Sequence, residues 1–162
     1  MSSSNLCSPE RGRMVRIPTT QGLHASQIRV LDLVAPYTEQ NIVYVNCTSA
    51  SGLLRAVEAS SQKWVQSQER MERFHYHRVN GICELAKLLE KNEFDVVILE
   101  RTDEILRGSG AELYEEQNHA LHRALATDAE YVFLDDWEYL DRYYHRDLDS
   151  YMAPKRRRPD GV

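Results

Sequence analysis

Phe94-Asp95-Val96-Val97-Ile98-Leu99-Glu100 holds a short unbroken apolar run, Val96 to Leu99, rich in β-branched residues and set between two acids. It is too short for a comfortable helix and lacks the polar alternation of a strand with one wet face. It therefore predicts a central strand buried on both faces. Glu100 falls at the carboxyl end of that strand, the end at which open α/β sheets gather ligands and catalytic acids. Whether Glu100 does chemistry or only terminates a strand depends on its neighbours.

Working outward, apolar segments of two kinds alternate. Val15-Arg16-Ile17 is a short first strand, and Pro18 to Gly22 has turn chemistry. Ala25, Ile28, Leu31, Val34 and Ala35 recur at helical spacing, with Pro36 closing the segment. Ile42 to Asn46 is a second strand, ended by the small-residue loop Cys47 to Gly52, and Leu53 to Gln68 has a helical pattern. Arg73 to Val79 alternates, with Phe74, Tyr76 and Arg78 on one face and His75 and His77 on the other, as expected near a sheet edge. Ile82, Leu85, Ala86, Leu88 and Leu89 form an amphipathic helix leading into the central strand. Beyond Glu100 come a polar segment with Gly108 and Gly110, a helix over 111–126, a strand at Tyr131 to Leu134, and an acidic, tyrosine-rich helix starting at Asp135-Asp136. This alternation predicts an α/β fold: a mainly parallel sheet, helices on both faces, right-handed crossovers. Residues 1–13 read as a flexible lead-in, 14–153 as one domain, and 154–162 as a basic loop or tail.

The 162 residues suffice for one domain with a sizeable core. No apolar run approaches the roughly 18 residues of a membrane span, and no apolar stretch follows the polar, serine-rich start as in a signal peptide. An intracellular protein with no membrane contact is expected. Cys7, Cys47 and Cys83 are scattered without CxxC spacing, which predicts reduced thiols and neither a disulfide framework nor a zinc site. The net charge is −5. Lys155 to Arg158 supply +4 and Asp160 removes one, so the body carries −8. An acidic body excludes a surface coated for nonspecific nucleic-acid binding; any phosphate contact must be local.

Four apolar residues followed by the acid Glu100 is the pattern of a Walker B strand, whose acid holds Mg²⁺ or polarises the attacking water. That chemistry also needs a glycine-rich loop with GK[ST] opening a helix, so that backbone N–H groups and a lysine reach the phosphates. The place for it, Thr20-Gln21-Gly22-Leu23-His24-Ala25-Ser26, has one glycine and no lysine. Gly22 and Glu100 are thus degenerate Walker positions, and no cofactor is expected. His75-x-His77 is half of a metal site without a third ligand nearby, so no metal is expected. Glu100 with Asp135 and Asp136 would make a carboxylate cluster for Mg²⁺-dependent phosphodiester cleavage; Asp136 equally suits a helix N-cap, with Asp135 and Glu138 favourable to the first-turn dipole. No catalytic residue is assigned. Lys155, Arg156, Arg157 and Arg158 suit a solvated tail or nuclear localisation signal and equally a phosphate contact, where four neutralised phosphates give a log affinity against log salt slope near about −3.6.

The order of these segments is that of a RecA-like recombinase core. More closely, the chain resembles the RecA-like subunits of the Shu complex, the recombinase-paralogue assembly of fungi, and the smaller of the two most of all. The resemblance rests on Ile42 to Ser49, Arg73 through Leu89, Val97-Ile98-Leu99-Glu100 with Ile105-Leu106-Arg107, Leu140-Asp141-Arg142-Tyr143-Tyr144, and Lys155 to Arg158. It implies a nuclear, non-catalytic subunit that pairs with a second RecA-like subunit as a heterodimer. It also implies DNA binding through Lys155 to Arg158 and assistance to the recombinase filament in homologous recombination repair. Pro154 and Pro159 around the basic run depart from the family pattern. Tyr139, Tyr143, Tyr144 and Tyr151 are the candidates for the subunit interface. Two rivals are a scaffold subunit of another RecA-like assembly, such as the Elongator ring, and a Mg²⁺-dependent nuclease.

Overall fold

The computed structural model describes residues 14–107 and 128–135. Its strands are β1 (Met14–Pro18), β2 (Ile42–Asn46), β3 (Phe74–Arg78), β4 (Val96–Glu100) and β5 (Glu130–Asp135). Its helices are α1 (Leu23–Leu33), α2 (Ser51–Ala59), the single turn α3 (Gln68–Met71), α4 (Ile82–Lys91) and α5 (Thr102–Arg107). The strands form one sheet in the order β1-β5-β4-β2-β3, and every pairing is parallel. The protein is an α/β fold, and β4 stands in the middle of its sheet.

Parallel strands cannot be joined by tight hairpins, so the connecting helices must cover the sheet on its faces. Two cores result. On one face Val30, Leu31 and Val34, with Leu53 and Ala56 of α2, pack on Ile42, Tyr44, Val96, Ile98, Val132 and Leu134. On the other, Ile82, Leu85, Ala86 and Leu89 of α4 pack on Val43, Val45, Val97, Leu99, Tyr131 and Phe133. Even and odd positions of β4 thus serve different cores, which is why its sequence shows no polar alternation.

Three segments depart from the sequence reading. The helical pattern from Leu53 stops at Ala59, because Ser60 Oγ accepts the Gln62 N–H (3.1 Å) and turns the chain out of the helix. A 3₁₀ turn, Lys63–Gln66, follows, and it buries Trp64, whose indole N–H donates to the Leu31 carbonyl (3.1 Å). The buried stripe of α1 is Ser26, Gln27, Val30 and Leu31; Ala25 faces solvent and Ile28 is half-buried. Two polar residues there hid the stripe from a count of apolar spacing. Finally, α5 begins right after β4, within what was expected as a polar segment before the next helix. Arg101 takes a left-handed φ of 58°, and Asp135 accepts the Thr102 backbone N–H (2.7 Å) and hydroxyl (3.1 Å), fixing the helix start. The helix expected over 111–126, the tyrosine-rich helix, and the terminal segments 1–13 and 154–162 lie outside the described residues.

Ile98 is wholly buried on the middle strand, whereas Leu54 is 57% exposed. Ile98→Ala should lower unfolding free energy by about 2–5 kcal/mol in urea titration, and Leu54→Ala should stay within about 0.5 kcal/mol of the parent.

Candidate functional site

The carboxyl ends of β2 and β4 lie side by side, since Val45 pairs with Leu99 and the next residues are Asn46 and Glu100. Both side chains belong to the face that carries Tyr44 and Ile98, because strand side chains alternate. Glu100 is only 3% exposed, and a carboxylate in that position must be supplied with donors.

The donors come from three places. Gln27 of α1 gives its amide N–H to Glu100 Oε1 (3.0 Å) and to the Tyr44 oxygen (3.2 Å). The Tyr44 hydroxyl donates to the same Oε1. Asn46 Nδ2 lies 3.3 Å from each Glu100 oxygen and 2.9 Å from the Ser49 carbonyl. Behind it, the Tyr76 hydroxyl of β3 and the Thr48 backbone N–H donate to Asn46 Oδ1. All the groups that hold Glu100 among the described residues are uncharged. Burial, then the charge of Glu100, then its hydrogen bond push the Tyr44 phenol far above its usual value near 10. Burial, and next the Glu100 charge, raise Tyr76 as well.

Backbone geometry makes room for this cluster. A Cβ on Gly52 would stand 3.1 Å from Gln27 Nε2, so a side chain there would press on the buried amide by a few tenths of an ångström. At the start of α1, Gly22 has φ 110°, a conformation costly for any other residue. Its N–H bonds to the Thr19 carbonyl (3.0 Å), and the Ser26 hydroxyl donates to the Pro18 carbonyl (2.7 Å). The loop after β1 is thus tied to itself. Counted from Gly22, Leu23 stands where a phosphate-binding loop has its lysine and His24 where it has the metal-binding Ser or Thr.

The structure brings Glu100 and the Gly22 loop to the same end of the sheet, joined through Gln27. Asp135 ends the neighbouring strand, but its oxygens take the Thr102 N–H and hydroxyl. His75 lies 5.9 Å from the Phe94 ring, centroid to centroid, and His77 is exposed. Among the described residues no group of three or more His, Cys, Asp or Glu side chains is placed to hold a metal ion. Among the described residues Cys47 and Cys83 are in no disulfide, and no described helix is long and apolar enough to cross a membrane. Asp136, Tyr139, Tyr143, Tyr144, Tyr151, Lys155, Arg156, Arg157 and Arg158 lie outside the described residues.

The sequence reading found Glu100 and missed Gln27, Tyr44, Asn46 and Tyr76. A signal existed: Tyr44 and Asn46 are polar at alternate positions of an otherwise apolar strand, on the face that Glu100 shares. No protein-family model matches the chain, and no curated protein matches it either.

Two measurements check the network. Tyr44→Phe removes one donor from a buried carboxylate and should cost about 1–3 kcal/mol in chemical denaturation. The raised phenol also sets an alkaline dependence. Unfolded Tyr44 loses its proton near pH 10 while the folded form keeps it, so the native state binds more protons and stability falls as pH rises past about 10. In pH-dependent denaturation, the parent should lose up to about 1.4 kcal/mol per pH unit more than Tyr44→Phe in that range.

Proposed function

We propose that this chain is a non-catalytic DNA-binding subunit of a recombinase-paralogue assembly resembling the Shu complex, built on a RecA-like core that has given up nucleotide. The observation that carries the proposal is the state of Glu100. Where a Walker B acid would turn to Mg²⁺ and a triphosphate, it accepts from Tyr44, Gln27 and Asn46. On the loop that would hold the phosphates, Leu23 replaces the lysine and His24 the metal-binding hydroxyl. The middle position of β4 and the place of the Gly22 loop at the same sheet end agree with a RecA-like descent.

In this reading the fold keeps the frame of an ATPase and uses it to carry partners. Lys155, Arg156, Arg157 and Arg158 contact DNA phosphates, and Tyr139, Tyr143, Tyr144 and Tyr151 meet a second RecA-like subunit in the nucleus. The heterodimer then supports assembly of the recombinase filament during repair. Four phosphate contacts bind weakly alone, so the partner subunit must contribute others.

The test uses the chain with its copurified partner. Replacing Lys155, Arg156, Arg157 and Arg158 by Ala should weaken binding to a fluorescent DNA. It should also reduce the slope of log affinity against log salt by about 3.6. Unchanged affinity and slope would overturn the DNA-binding assignment.

A further inference from the structure

Among the described residues β3 pairs with β2 alone, so one side of it is a sheet edge. The hydrogen bonds at its two ends fix which groups face outward. Ile42 N–H donates to the Arg73 carbonyl (2.9 Å) and Val79 N–H donates to the Asn46 carbonyl (2.9 Å). In a parallel ladder the bonding alternates along the strand. The inward groups therefore belong to the odd-numbered residues, and the N–H and C=O groups of Phe74, Tyr76 and Arg78 point away from β2.

Edges are protected by a proline, a bulge, charged side chains or a covering segment. The β3 edge is five residues long and has neither proline nor bulge, and its register with β2 is continuous. At the opposite described edge, β1 ends in Pro18, which has no N–H to offer. The two faces beside the β3 edge differ. Phe74 and Tyr76, half-buried, lie on the face of α1 and α2, with the Phe74 ring tilted against Trp64 at 5.5 Å between centroids. On the other face stand Arg73, His75 and His77; Arg73 and His77 are exposed and form no ion pair among the described residues. Arg78 closes the strand, also exposed.

We propose that the β3 edge, through the outward backbone groups of Phe74, Tyr76 and Arg78, receives an extended strand from a partner protein in which acidic and apolar residues alternate. Main-chain bonds to those groups supply affinity, as in other cases of strand addition. Acids of the incoming strand lie beside Arg73, His75 and His77, and its apolar side chains lie beside Phe74 and Tyr76. This surface is independent of the basic block at residues 155–158. A second copy of the chain is a poor occupant, because residues 73–79 carry no acid to lie beside Arg73 and Arg78.

The probe is a fluorescent peptide of alternating Glu and Val, seven residues long (about the length of one strand), with a Lys and Val counterpart as control. The full chain should bind the acidic peptide saturably and the basic one at least about tenfold more weakly. Arg78→Pro removes an outward N–H without touching the ladder to β2 and should weaken binding by about tenfold or more, whereas Arg78→Ala retains that donor and should lose less. Arg73→Glu should weaken the acidic peptide and favour the basic one. Amide hydrogen exchange gives a reading that does not rest on any variant folding. Without peptide, Phe74, Tyr76 and Arg78 should exchange fast while His75 and His77 are protected, and the peptide should slow the outward set. Absence of saturable binding, equal binding of both peptides, or outward amides already protected in the chain alone would overturn the proposal.

Discussion

Burying the Glu100 carboxylate at the end of the middle strand is the constraint on which the surrounding structure depends. A carboxyl group that is 3% exposed would be intolerable without donors, and each donor ties a different element to β4. Gln27 holds α1, Tyr44 and Asn46 hold β2, and Asn46 passes the connection to Tyr76 on β3 and to the Ser49 carbonyl ahead of α2. Apolar packing would hold these elements together in several near-equivalent ways. The network selects one of them, because sliding any member leaves a buried polar group unsatisfied.

The same network bears on function. Sites that bind nucleoside triphosphates keep backbone N–H groups, a lysine and a metal-binding hydroxyl turned toward open space. Here the polar groups at that end of the sheet are turned toward each other. Gln27 spans the gap between α1 and β4, the Gly22 N–H bonds back to Thr19, and the Ser26 hydroxyl closes on Pro18. A fold arranged in this way is held by its own side chains where a nucleotide-binding protein would be held by its ligand. In the proposed reading the chain carries partners, through the sheet edge and the basic residues far along the chain.

Much of this was legible in the sequence, and the failures have physical causes. Val96 to Glu100 was recognisable as the middle strand because both faces of a parallel sheet are covered, so the strand needs no polar face. Arg73 to Val79 was recognisable as an edge because it alternates. The break after Ala59 was not, since it depends on the hydroxyl of Ser60 competing for a backbone N–H, and α5 was not, since its cap comes from Asp135, more than thirty residues away (33). Gln27 and Tyr44 escaped for a related reason: a buried polar residue shows its purpose only when its partner is in place. The partner lies 73 residues from Gln27 and 56 from Tyr44.

Equilibrium dialysis of the chain against Mg²⁺-ATP, with Glu100→Gln in parallel, tests the self-held site most directly. No saturable binding by either protein is expected at millimolar nucleotide, and ATP should leave the melting temperature of the parent unchanged. Saturable binding by the parent that Glu100→Gln abolishes would contradict it, because Glu100 would then be turning to a metal and not to Tyr44, Gln27 and Asn46.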